Sequence, residues 1–257
     1  MKKVIVAGKG GAGKTTIISL VLNQFLAGNS VKTLVIDADP SSNLLISLGL
    51  EKPEIEALGE LKDLIPENWD DFNPEFFDKA KKLCIKQLSL NGKNFDYIYL
   101  GHHVNNSCLC AYNNSLNYFL RHIEKTDDYD YVIMDREAGV EHINRSVYGS
   151  EEDKLIVVSW PSSEYLIVAK DIYDLADMLG TTKNRLLVIN NNQGLEFSEN
   201  DLQKAISEIG LPADNYLVVN KVNVFDGFRK MSAAEILSAA DIKIINSINQ
   251  IIEFIKK

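Results

Sequence analysis

The sequence predicts an α/β fold: a mostly parallel sheet of seven or eight strands with helices on both faces. Three observations carry this. Short β-branched runs alternate with longer helical stretches along all 257 residues. No Gly/Ser/Pro linker or internal repeat divides the chain, so residues 1–257 read as one domain. The first apolar run opens directly into a glycine-rich segment, Gly8 to Gly13.

Taken in order, the first strand is Lys3–Ala7, an apolar run ended by Gly8. A helix follows over Thr15–Ala27, and a second strand over Thr33–Asp37, closed by Pro40. The segment Glu51–Asn94 reads as a helical excursion, with Pro53, Pro66 and Pro74 at its boundaries and a helix near Asn73–Gln87. A strand at Tyr97–Gly101 and a helix at Ser115–Lys125 come next, then strands Tyr131–Asp135 and Leu155–Ser159. The remainder alternates: helix Glu164–Leu179, strand Leu186–Asn190, helix Ser198–Ile209, strand Tyr216–Asn220 and a final helix from Asp241 to Ile255. Near-continuous apolar strands spaced by helices are what a sheet buried on both faces requires.

Hydrophobic residues make up 46% and charged residues 25%, with a net charge of −9. That charge argues against a broad basic surface, so no nucleic-acid partner is expected. No apolar run approaches the roughly 20 residues of a membrane span. Val4–Ala7 is too short for the core of a signal peptide. The expectation is a cytoplasmic protein with no stable membrane insertion. Three cysteines do not make a disulfide framework.

The segment Gly8-Lys9-Gly10-Gly11-Ala12-Gly13-Lys14-Thr15-Thr16 fits G-x-x-x-x-G-K-[ST] between a strand and a helix. Glycines let successive backbone N–H groups point at phosphate oxygens, and the helix adds the positive end of its dipole. Lys14 suits the β- and γ-phosphates, and the Thr15 hydroxyl suits magnesium. These residues predict a single P-loop NTPase domain that binds ATP or ADP with Mg2+. Asp37 and Asp39 follow the second strand, where loops at strand C-terminal ends face the ligand. Asp135 ends the run Tyr131-Val132-Ile133-Met134, the position of a carboxylate that holds a magnesium-bound water. Gly139, just beyond, suits a hinge whose N–H meets the γ-phosphate.

The form K-G-G-x-G-K-T-T, with Lys9 early in the loop, resembles the deviant Walker A motif of the ParA/MinD and nitrogenase-iron-protein superclass. The resemblance implies a nucleotide-sandwich homodimer in which Lys9 reaches the partner's nucleotide; a solvated loop lysine is the alternative. It also implies that Asp39 activates the attacking water, that Asp37 supports the magnesium shell, and that an asparagine after a late strand reads adenine. Asn190 holds that place by strand order, although Asn191 stands where a lysine is usual and Asn220-Lys221 competes one strand later.

Cys108 and Cys110 lie two residues apart after the strand Tyr97–Gly101. Extended chain puts both on one face, about 7 Å apart at Cα. A two-fold axis would bring four thiolates together, the set a tetrahedral soft metal takes. Simple packing, a redox pair, or help from His102 and His103 are the alternatives. Ser107-Cys108-Leu109-Cys110, and Glu137-Ala138-Gly139-Val140-Glu141-His142 with Arg145, resemble the corresponding segments of CooC-type ATPases, nickel-insertion accessory proteins of carbon monoxide dehydrogenase. That resemblance implies an ATP-driven metallochaperone, with Ni2+ or Zn2+ at Cys108 and Cys110 across the dimer. Its client would be a nickel enzyme, carbon monoxide dehydrogenase or acetyl-CoA synthase.

Two other readings compete. A ParA/MinD-type switch on a membrane or DNA surface would use the isoleucine-rich final helix as an anchor, although such a helix more often closes the domain. An iron–sulfur electron-transfer ATPase is disfavoured because Asp135–His142 contains no cysteine. Cys84 reads as a packing residue and His122 as structural.

Overall fold

The computed structural model describes the chain outside residues 29, 102–108, 127, 137–152, 181–182, 214 and 222–230; at 109–111 it describes the backbone alone. Among the described residues the strands are β1 (Lys2–Ala7), β2 (Thr33–Ala38), β3 (Lys86–Leu90), β4 (Lys93–Tyr99), β5 (Tyr131–Arg136), β6 (Lys154–Ser159), β7 (Arg185–Asn191) and β8 (Tyr216–Asn220). They form one sheet in the order β3-β4-β2-β5-β1-β6-β7-β8. Every pairing is parallel except β3 with β4.

The helices are α1 (Lys14–Gly28), α2 (Leu44–Leu48), α3 (Pro74–Lys79), α4 (Leu109–Ile123), α5 (Ser163–Met178), α6 (Glu199–Glu208), α7 (Ala233–Ala239) and α8 (Ile242–Lys256). Alternation along the strands sends side chains to two cores. Ile5, Ile36, Met134 and Val157 face a core built with α4, α5 and α6. Val4, Val6, Val35, Ile133 and Val158 face one built with α1, α2 and α8. Strands that are apolar on both faces therefore read as continuous apolar runs.

The final helix closes the domain. Asp241 caps it by accepting from the Ile244 N–H at 2.9 Å, and Ile244, Ile248, Ile251, Ile252 and Ile255 are buried in the second core. Among the described residues no helix is long and apolar enough to cross a membrane.

The excursion Glu51–Asn94 departs from the sequence expectation. The predicted helix Asn73–Gln87 is only one and a half turns of α3 followed by a π turn at Ala80–Cys84; β3 then pairs with β4 in a hairpin. The two-residue loop is Asn91-Gly92, with φ of 53° and 73°, the left-handed conformations a tight hairpin turn needs. β3 is the sheet edge and is mostly exposed, so its apolar pattern is weak. β4 accordingly begins at Lys93 and ends at Tyr99, earlier than expected, and α4 begins at Leu109 rather than Ser115. α7, opened by a Ser232–Glu235 capping box, has no counterpart in the expected elements.

Cys84 is buried, and burial pushes its thiol up to about 12, so it packs as an apolar residue. His122 is buried among Phe72, Phe77 and Tyr118 with Nε2 2.9 Å from the Trp69 carbonyl oxygen.

Candidate functional site

β1 delivers the chain to the glycine-rich loop at the C-terminal edge of the sheet. Gly8 has φ of 150°, and a Cβ there would lie 2.2 Å from the Val158 carbonyl oxygen on the neighbouring β6, so the loop leaves the sheet in contact that only glycine allows. At Gly13, φ is 88° and a Cβ would lie 2.1 Å from Asn190 Nδ2. The Ala12 N–H donates to the Lys9 carbonyl at 3.1 Å, and the Ile17 N–H to Gly13 at 2.9 Å, which joins the turn to α1. Gly10 and Gly11 are exposed while Ala12 and Lys14 are buried; Thr15 and Thr16 are half-buried at the start of α1. Lys14 Nζ lies 3.5 Å from the Lys9 carbonyl oxygen, folded over the loop.

Two carboxylates meet this loop. β2 and β5 are neighbours in register Asp37 to Asp135, and β5 pairs with β1, so both aspartates stand at adjacent strand ends beside Gly8–Thr16. Both are fully buried. Thr15 Oγ1 donates to Asp135 Oδ2 at 2.6 Å. Asp37 Oδ2 accepts from the Leu44 N–H at 3.2 Å and the Tyr97 hydroxyl at 3.4 Å. Among the described residues, Oδ1 of each has no side-chain or backbone partner at hydrogen-bond distance. Burial raises Asp135 to about 7, with repulsion from Asp37 and Asp39 adding to it, and raises Asp37 to about 6, with repulsion from Asp39 adding to it. The Thr15 bond partly opposes the shift at Asp135, as the Leu44 N–H does at Asp37. Two buried acids with unused oxygens beside a threonine hydroxyl are a donor set of oxygens that suits magnesium.

Asp39 sits in a turn beyond β2, where its Oδ1 accepts from the Ser41 N–H at 2.8 Å and the Ser41 hydroxyl at 2.6 Å. Lys9 turns toward α5 of its own chain: Nζ lies 3.3 Å from Glu164 Oε2 and 4.6 Å from the centroid of the Tyr165 ring. Asn190, at the end of β7, donates through Nδ2 to the Ala12 carbonyl at 2.8 Å. Asn191 is a loop staple: its Nδ2 donates to Leu195 O and Asn220 Oδ1, and its Oδ1 accepts from the Leu195 N–H at 2.9 Å.

Gly139, Cys108, His102, His103 and the segment 137–142 lie outside the described residues, as does Arg145. Cys110 falls in the first turn of α4, and its side chain is not described. Among the described residues no group of three or more His, Cys, Asp or Glu side chains could hold a metal. The structure adds Tyr97, Glu164, Tyr165 and Trp160 to the neighbourhood of the loop. Nothing in their local sequence announces this, since the contacts come from strand order and from α5 starting beside the loop.

The AAA domain family (AAA_31) matches residues 1–160. An uncharacterized ATP-binding protein of Methanocaldococcus jannaschii is 32% identical over 222 residues, covering 85% of each chain. The carbon monoxide dehydrogenase accessory protein CooC of Rhodospirillum rubrum is 30% identical over 192 residues, covering 69% of this chain and 70% of CooC. Among solved structures, the septum site-determining protein MinD complexed with Mg-ADP from Pyrococcus horikoshii superposes with a TM-score of 0.63. Its sequence identity is 18%, and the match covers 100% of this chain and 96% of MinD.

Proposed function

The chain belongs to the AAA domain family, and from that premise we propose that it is an ATP-binding P-loop ATPase of the ParA/MinD type that hydrolyses ATP with magnesium in a homodimer to drive nickel delivery to a client enzyme. The observation that carries the hydrolase is the trio Thr15, Asp37 and Asp135, brought together beside the phosphate loop with two buried, unused carboxylate oxygens.

Each residue has a role in this reading. Backbone N–H groups of Gly10 to Thr16 and the Lys14 ammonium hold the β- and γ-phosphates. Thr15, Asp37 and Asp135 would hold magnesium, directly or through its waters, and the ion supplies charge neutralisation at the phosphates. Asp39 orients a water for in-line attack on the γ-phosphorus and accepts its proton as the bond to the β,γ-bridging oxygen breaks. Lys9, supplied by the partner subunit, and the Gly139 N–H stabilise charge on the transferring group. Asn190 lies at the strand end from which adenine would be read.

Nickel insertion rests on the likeness to CooC together with Cys108-Leu109-Cys110. In the dimer two such pairs give four thiolates, which hold Ni2+ or Zn2+ as cargo. The client is carbon monoxide dehydrogenase or acetyl-CoA synthase. A membrane-anchored switch is disfavoured by the burial of Ile244, Ile248, Ile251, Ile252 and Ile255 on α8.

The test is metal analysis and sizing, with and without ATP, of wild type beside Cys108→Ser/Cys110→Ser. Loss of bound nickel or zinc in the double variant is expected, and unchanged stoichiometry would remove the cargo site. Lys14→Ala should abolish turnover; hydrolysis near the wild-type rate would sink the ATPase assignment.

A further inference from the structure

Two side chains from outside the phosphate loop each hold one of its carbonyls. Tyr165, in the first turn of α5, donates its hydroxyl to the Gly10 carbonyl at 3.2 Å. Asn190, at the end of β7, donates Nδ2 to the Ala12 carbonyl at 2.8 Å. In a planar trans peptide the carbonyl and the following N–H point in opposite directions. Fixing the Gly10 and Ala12 carbonyls therefore also fixes the opposite heading of the Gly11 and Gly13 N–H groups. The intervening Ala12 N–H is spent within the loop on Lys9.

We propose that Tyr165 and Asn190 are positioning residues that preset two peptide planes of the phosphate cradle, so that the Gly11 and Gly13 N–H groups face polyphosphate before it arrives. This deepens the nucleotide-site reading and rests on it.

Both braces are themselves fixed. The Tyr165 ring stacks on Trp160, with centroids 4.8 Å apart and planes 17° from parallel, and the Lys9 ammonium lies 4.6 Å from the Tyr165 centroid. A Cβ at Gly11 would sit 3.4 Å from the Tyr165 hydroxyl oxygen, so the tyrosine approaches both residues of that peptide. Asn190 is buried, and its amide fills the space a Cβ at Gly13 would need. Glycines are free to rotate their peptide planes, and that freedom is lost when anion binding demands one orientation. Bonds made beforehand by Tyr165 and Asn190 move that cost from binding to folding.

A brace of this kind acts on phosphate and not on the base, which separates it from adenine reading by Asn190. The probe is magnesium tripolyphosphate, which carries no base, titrated beside ATP and adenosine into wild type, Tyr165→Phe and Asn190→Ser. Loss of one neutral hydrogen bond predicts tripolyphosphate and ATP affinity each weakened roughly three- to tenfold in either variant. Tyr165→Phe should leave any adenosine affinity unchanged, and its unliganded melting temperature should stay close to wild type. Tripolyphosphate affinity within twofold of wild type in both variants overturns the proposal, as does a loss confined to adenosine and ATP. A wild type that binds neither ATP nor tripolyphosphate would instead overturn the nucleotide site, and this inference with it.

Discussion

Thr15 Oγ1 donates to Asp135 Oδ2 at 2.6 Å, while the other oxygen of Asp135 and one of Asp37 are buried without a partner among the described residues. Burial raises Asp135 to about 7 and Asp37 to about 6. Each group therefore holds its proton in the folded state at pH values where the unfolded chain has lost it. Stability contributed by the protonated forms is complete below about pH 4 and is lost as pH rises toward about 7. Asp135→Asn removes one of these ionisations. Without nucleotide or divalent cation, the variant should be about 1–3 kcal/mol more stable than wild type at pH 8, and close to it at pH 4. At about 2–4 °C per kcal/mol, melting curves against pH resolve the difference. The same variant should lose most magnesium-dependent ATP turnover. Equal melting temperatures at pH 8 would show that Asp135 carries no ionisation penalty.

Lys9 and Glu164 make a contact that a lysine working in trans has to break. The pair is at the surface, with side chains 36% and 81% exposed, so it adds little to stability. Glu164→Gln keeps the shape and removes the charge. Its melting temperature should match wild type, while half-maximal dimerisation should need roughly two- to fivefold less ATP, read by sizing or light scattering across an ATP series. Lys9→Ala should prevent ATP-dependent dimerisation while leaving monomer binding of ATP in place. A dimerisation midpoint unmoved by Glu164→Gln would mean the contact does not restrain Lys9.

What was legible in the sequence followed from how local its signal is. The loop Gly8–Thr16 and the strand-end aspartates are set by short motifs on strands buried on both faces, and these stand where the pattern predicts. The strand Tyr216–Asn220 has the same bounds in the structure as in the sequence pattern. The hairpin β3–β4 was hidden because Asn73–Gln87 looks helical where Pro74 and Asn73 start a helix that soon gives way to a π turn. An exposed edge strand adds little hydrophobic alternation, and the Asn91-Gly92 pair is the local signal of the turn. Tyr165 and Glu164 were not legible because their importance comes from the position of α5 against a loop some 155 residues earlier. Strand order places Asn190 at a strand end, but its bond to the Ala12 carbonyl comes from the packing of β7 against a loop distant in sequence.

The Asn91-Gly92 turn gives the most direct check of the fold. Gly92 has φ of 73° and no atom within 4 Å of a Cβ built on it, so replacing it tests backbone conformation without a clash. Left-handed backbone costs an L-residue about 1–2 kcal/mol, offset in part by about 0.4–1 kcal/mol from a stiffer unfolded chain. Gly92→Ala should therefore destabilise the protein by about 1 kcal/mol. Gly28 provides the opposite case: it ends α1, also has open space around its Cβ, and has no positive φ. Gly28→Ala should be neutral or stabilising by up to about 1 kcal/mol. Asn91 ties the turn to α1 through bonds from Nδ2 to Asn23 O and Oδ1, each 3.1 Å, so loosening the turn should also loosen that contact. Denaturant unfolding of the two variants beside wild type reads both signs in one experiment. If Gly92→Ala were as stable as Gly28→Ala, residues 91–92 would not form the left-handed turn, and the pairing of β3 with β4 would lose its register.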